Sequence, residues 1–220
     1  VTDTRTRLLD AAQRLYAERG VDGVSLREIN AAAGARNAVA VQYHFKDRAG
    51  VLRAIMERHL PDVDARRHAL LDAYEAAGTP DPRALAAALV RPLAAKLADL
   101  AGGGPYFLQI WAELVGRPQG PPPVAPGAPG DSLRRWRRLT EPVLAEDAAR
   151  LHRRYTAVLH ASIELARRAR SGPHTDDRLF TSYLIDVITA ILTAPVSAET
   201  RRLAAERDAA RAARNGGPPD

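Results

Sequence analysis

Leu8, Ala11, Ala12, Leu15 and Tyr16 recur at intervals of three and four, the apolar stripe of an amphipathic helix, and predict one from about Thr6 to Arg19. Gly20 closes it, and Val21 is placed for the hydrophobic contact that follows a glycine cap. A second stripe, Leu26, Ile29 and Ala33, is preceded by Ser25 with Glu28 three residues on. That pair is a capping box, in which each side chain satisfies the other residue's unpaired backbone N–H, so a helix is expected to begin at Leu26 with Val24 as its staple. Gly34 ends it where a left-handed backbone is least costly. Asn37 is the expected cap of a third helix, whose Val41 and Phe45 point inward while Val39, Ala40, Gln42 and Tyr43 face out or sideways. The three helices share a core of Leu8, Leu15, Leu26, Ile29, Val41 and Phe45, too small to be very stable alone.

Beyond Phe45 the turn Lys46-Asp47-Arg48 leads into a long helical pattern, Ala49 to about Ala77, which Pro61 is expected to kink or interrupt. Asp81 caps and Pro82 opens a helix expected to reach Leu100, with Pro92 inside it, before three glycines at 102–104. Pro105 to Gly116 reads as a short apolar helix. The proline- and glycine-rich stretch 117–132 reads as a mobile surface loop. A basic segment around Trp136 follows, then a helix from Pro142 to about Arg170. Asp176 caps another through Ala194, with an apolar face from Leu179 to Ile191 wider than a lone surface helix needs. Ser197 to Arg214 reads as a polar terminal helix.

Composition narrows the class. In 220 residues, 46% are hydrophobic, enough for a sizeable core, and the Ala, Leu and Arg runs with few β-branched residues favour an all-α protein. There is no Cys, hence no disulfide framework, thiolate nucleophile or finger-type zinc site. With no apolar run long enough to span a bilayer and no apolar N-terminal signal segment, a soluble cytoplasmic protein without membrane partners is expected. The net charge of +6 points only weakly to a polyanion, because 26 acidic residues are interspersed with 32 basic ones.

The chemistry lies in Ser25 to Arg48. A helix pair with a glycine-containing turn matches the helix-turn-helix, whose second helix enters the major groove of DNA. Small residues such as Val39 and Ala40 let the backbone approach base edges and touch a thymine methyl, and Gln42 suits an adenine edge. Tyr43, His44, Lys46 and Arg48 suit phosphate oxygens, and Arg36 fits either role. An ordinary helical hairpin with solvated polar residues is the competing reading. His59, His68, His152 and His160 fit no metal-ligand spacing, so neither a metal nor another cofactor is expected, and no catalytic constellation is present. Tyr106, Phe107, Trp111 and Tyr155 are candidates for the wall of an apolar ligand pocket, although aromatics at helical spacing equally build a core.

Residues 6–60 resemble the N-terminal domain of the TetR family of bacterial transcriptional regulators. The stretch AAAGARNAVAVQYHFKDRAGVLRAI follows that family's helix-turn-helix, with its AG turn, its aromatic-rich end at Phe45 and a basic residue three positions on at Arg48. Three departures stand out: the turn from Gly34 to Phe45 is one residue longer than the commonest form, Gln42 stands where many members carry tyrosine, and Arg48 replaces the usual lysine. The resemblance implies a DNA-binding domain at 1–47 that includes Ser25 and Asn37 among its contacts. It also implies a helical ligand-binding and dimerisation domain at 48–214; the Gly- and Pro-rich composition of 215–220 by itself reads as a disordered tail. It further implies a homodimeric repressor that binds a palindromic operator, is nucleoid-associated when bound, and is released by an apolar small-molecule inducer. The alternatives are a helical enzyme or ligand carrier with a vestigial helix-turn-helix, or a DNA binder of low specificity.

Overall fold

The computed structural model describes residues 3–35, 37, 39–118, 131–144 and 151–215. Ten helices and no strand occur among them: α1 Thr4–Arg19, α2 Leu26–Ala32, α3 Ala40–Phe45, α4 Arg48–Ala77, α5 Pro82–Ala94, α6 Gly104–Val115, α7 Asp131–Leu139, α8 Arg153–Arg170, α9 Arg178–Thr193 and α10 Ala198–Asn215. The all-α expectation is met. Short 3₁₀ turns follow α5 at Ala95–Leu97 and α7 at Glu141–Val143. No helix among the described residues is long and apolar enough on its own to cross a membrane.

The apolar stripe of α1 does as its spacing requires, burying Leu8, Ala11, Ala12 and Tyr16 against α2, α4 and α6. Leu15 and Leu26 are only partly buried at the margin of this core. Helix α4 joins the small N-terminal unit to the rest, for its first turns bury Val51, Leu52 and Ile55 beside α1 and α3, and its later turns lie on α5 and α7. Helix α5 packs between α4 and α9, while α6 lies along α8 and reaches back to α1. One continuous set of buried side chains therefore runs from Leu8 to Leu192.

Several expectations change. Helix α4 continues through Pro61 without interruption. Pro61 sits on the exposed side between buried Leu60 and Val63, so the proline removes one backbone bond while packing on the other face holds the helix together. The helix expected to reach Leu100 stops at Ala94, where the chain tightens into the 3₁₀ turn that buries Lys96 and Leu97. The helix expected from Pro142 begins only at Arg153, after a left-handed His152 with φ of 55°. The basic segment is a helix of its own, α7, anchored by Trp136, whose Nε1 donates to the Leu85 carbonyl at 2.7 Å. Most of the proline-rich loop and of the terminal tail lies outside the described residues.

Candidate nucleic-acid interface

Helix α2 starts as its capping box requires. The Ser25 hydroxyl oxygen accepts from the Glu28 N–H at 3.3 Å, and the Ser25 N–H donates to Glu28 Oε2 at 2.8 Å. Arg19 adds a 2.7 Å ion pair to the same carboxylate. These bonds hold the Glu28 carboxyl well below its ordinary range, at about 2, the Ser25 backbone bond contributing most. Gly34 follows α2 with φ of 61°, the left-handed conformation expected there.

Helix α3 has two faces. Val41 and Phe45 are buried, and the Arg5 guanidinium lies 5.2 Å over the Phe45 ring. On the other side Val39 is 51% and Tyr43 84% exposed, and Gln42 is exposed between them. Ala40 departs from the expectation that it faces out: it is 7% exposed and turned toward the core. His44 is half-buried and meets the Tyr43 ring edge-on at 5.1 Å.

The start of α3 also differs. Its N-cap is Val39, which has no side-chain acceptor, and Asn37 Oδ1 instead takes the Val39 N–H at 3.0 Å one step earlier. The acceptor for the first turn comes from the preceding helix: Asn30 Oδ1, buried, takes the Val41 N–H at 3.0 Å. Asn30 is not legible in the sequence, because its partner is eleven residues away. An amide on the inward side of a short helix was the one available signal. Arg36 lies outside the described residues.

The chain leaves α3 through a strained turn. Lys46 has φ 72° and ψ −59°, and the Asp47 N–H donates to the Phe45 carbonyl at 2.8 Å, a γ-turn of the rare, strained hand. It throws the exposed Lys46 side chain off the end of α3. Asp47 then caps α4 by accepting from the Gly50 N–H at 2.8 Å. Glycine is required at 50, since a Cβ there would stand 1.7 Å from the Phe45 carbonyl oxygen. Arg48, expected on a phosphate, is exposed but tied to the α1–α2 turn: it donates to the Val24 carbonyl at 3.1 Å and pairs with Asp22 at 3.4 Å.

Asp22 belongs to a connection with α6. Glu113 accepts the Val21 N–H at 3.2 Å, and Arg117 bridges Glu113 at 2.5 Å and Asp22 at 2.8 Å. Of the aromatic candidates, Phe107 and Trp111 are buried, with Phe107 stacked on His59 at 4.5 Å, and serve as core. Tyr155 donates to the Val115 carbonyl at 3.3 Å and is partly exposed. Tyr106 lines a cleft of about 280 Å³ with Leu97, Leu100 and Pro173 on its apolar side and Gln109, His174 and Asp177 on its polar side. Among the described residues no group of three His, Asp or Glu is placed to hold a metal.

The sequence profile of the bacterial regulatory proteins, tetR family, matches residues 8–55, which take in α1, α2, α3 and the first turns of α4. Residues 8–55 are similar to a TetR-type helix-turn-helix domain. The chain is 42% identical over 55 residues to the HTH-type transcriptional regulator AcrR of Shigella flexneri, a match that covers 25% of this chain and 25% of that protein. The TetR-type likeness thus spans a quarter of the curated relative and leaves α5 to α10 outside it.

Proposed function

We propose that the chain is a DNA-binding transcriptional regulator that acts as a homodimeric repressor on a palindromic operator and releases it when an apolar small molecule binds. The observation that carries this reading is the outer face of α3, where Val39, Gln42 and Tyr43 stand exposed over a buried Val41 and Phe45, in a segment that matches a family of regulators. Val39 and Gln42 are the base-reading residues; Tyr43, His44 and Lys46 contact phosphates. Ser25, Arg36 and Asn37 contact the DNA backbone. Arg48 acts through Asp22 rather than on a phosphate.

The DNA-reading unit is residues 1–47, and 48–214 carry dimerisation and ligand binding. The protein works in the cytoplasm on nucleoid DNA. The dimer face is α8 and α9, which leave Ile163, Leu179 and Tyr183 exposed and offer the surface for a four-helix interface. Such a pairing sets the two α3 helices in successive major grooves, roughly 34–36 Å apart. The cleft beside Tyr106 is the candidate inducer site. From it, α6 reaches the head of α4 through Glu113, Arg117, Asp22 and Arg48. A ligand that prefers the released state tenfold to a hundredfold, on the order of 1–3 kcal/mol, is enough to relieve repression.

A mobility-shift assay with DNA flanking the protein's own gene, competed by unrelated DNA, tests this. Specific retardation is expected. Equal competition would favour a binder of low specificity, and no retardation would favour a ligand carrier or enzyme. Lys46→Ala is expected to weaken binding to all sequences and lower the salt slope by about one unit, whereas Gln42→Ala relaxes preference at one position per half-site.

A further inference from the structure

We infer that Asn30 is a positioning residue for the reading helix and sets how well the protein discriminates its operator, rather than how tightly it holds DNA. The inference rests on the DNA-binding reading of α3. Helix α3 is six residues long and its N-cap, Val39, contributes no side-chain bond. A helix that short is held by what it packs on, not by its own ladder. Its C-terminal end is fixed by Phe45, buried with Arg5 over the ring. Its N-terminal end is fixed by buried Val41 and by the Asn30 amide, 5% exposed, whose Oδ1 meets the Val41 N–H at 3.0 Å.

Asn30 is itself tied into the end of α2, because its carbonyl accepts the Ala35 N–H at 3.1 Å beyond Gly34. The same residue thus holds both sides of the turn that separates the two helices. Asn37, the other amide in that turn, is occupied one step earlier: its Oδ1 takes the Val39 N–H and its carbonyl the Ala40 N–H at 3.1 Å, so no second side-chain amide reaches Val41.

The two ends of α3 carry different chemistry. Val39 and Gln42 flank Val41, while Tyr43 and Lys46 flank Phe45. Without the Asn30 acceptor, α3 keeps its Phe45 pivot and swings at the end that meets base edges. Phosphate contacts from Lys46 persist, because the γ-turn that aims it is built from Phe45 and Asp47. Base readout tolerates little misplacement, whereas a phosphate contact made by a long cationic side chain tolerates more.

The test uses the full-length protein and the DNA fragment that it retards specifically, with unrelated DNA of equal length as the reference. Asn30→Ala is expected to lower the ratio of specific to unrelated affinity at least tenfold, leaving affinity for unrelated DNA within about twofold and its salt slope unchanged. Asn30→Asp, which keeps an acceptor for Val41, is expected to retain most of the ratio. A preserved ratio in Asn30→Ala, or equal weakening on both DNAs, would overturn the inference. Should Asn30→Ala not fold, the Asp variant decides: a ratio near one, with no preference left for the specific fragment, refutes the role of the acceptor. If the unaltered protein shows no specific retardation, it is the DNA-binding reading that fails and not the role of Asn30 within it.

Discussion

Lys46 holds a backbone conformation that its side chain opposes, with φ of 72° in a γ-turn between the reading helix and α4. A non-glycine residue so placed stores roughly 1 kcal/mol or more of strain. Lys46→Gly is therefore expected to stabilise the fold by about 1 kcal/mol while weakening DNA binding, a pair of opposite changes that urea melts and mobility shifts will read. A second residue reports through pH. His59 is buried on α4, donates from Nε2 to Gln13 Oε1 at 2.6 Å and stacks on Phe107, while its Nδ1 faces Asp99 at 4.0 Å. Burial, with Lys96 next, pushes its pKa down to about 4. The unfolded chain binds this proton near pH 6.5, so the stability of the neutral ring is complete above that and is lost as pH falls toward 4, on the order of 2–3 kcal/mol. His59→Gln should flatten the dependence of stability on pH between 6.5 and 4.5; an unchanged slope would assign the titration elsewhere.

Between helices, the α6 connection to the α1–α2 turn separates two kinds of bond. Glu113 satisfies a backbone N–H at Val21, whereas Arg117 adds a half-exposed ion pair to Asp22. Glu113→Ala is expected to cost about 1–2 kcal/mol, and Arg117→Ala less than about 1 kcal/mol, in urea denaturation. Equal costs would mean that the ion pair dominates. The same distinction explains what the chain discloses before it folds. The Ser25–Glu28 box and the Asp81 cap are legible because their partners lie within three residues, and the stripes of α1 and α2 because their spacing repeats every three or four. The Asn30–Val41 bond, the inward turn of Ala40, the capture of Arg48 by Asp22 and the Lys46 γ-turn are set by contacts across helices, which periodicity does not register. Helix ends fail for the same reason, as α5 stops where Lys96 finds Asp62 at 2.9 Å and Asp99 at 3.4 Å, not where its own propensity runs out.

For the whole molecule, the outward side of α9 is the largest unmet demand. Leu179 is 83% and Tyr183 66% exposed, beside Arg168 of α8. Changing Leu179 and Tyr183 together to Asp should leave the melting temperature of the isolated chain little altered, while light scattering reports monomers and specific DNA retardation falls at least tenfold. Persistent dimers would move the interface off α9. The inner side of the same helix buries Leu184, Ile185, Ile188 and Leu192, which is why its apolar face is broader than one helix surface requires. Helix α4 links that half to the reading unit as a single 30-residue rod, unbroken at Pro61. At 1.5 Å per residue it is about 45 Å long, so a rotation of only ~5° about its distal end carries Arg48 through about 4 Å. That arc is close to the ~3.4 Å step between base pairs, so a few degrees of tilt amount to one rung of the double helix.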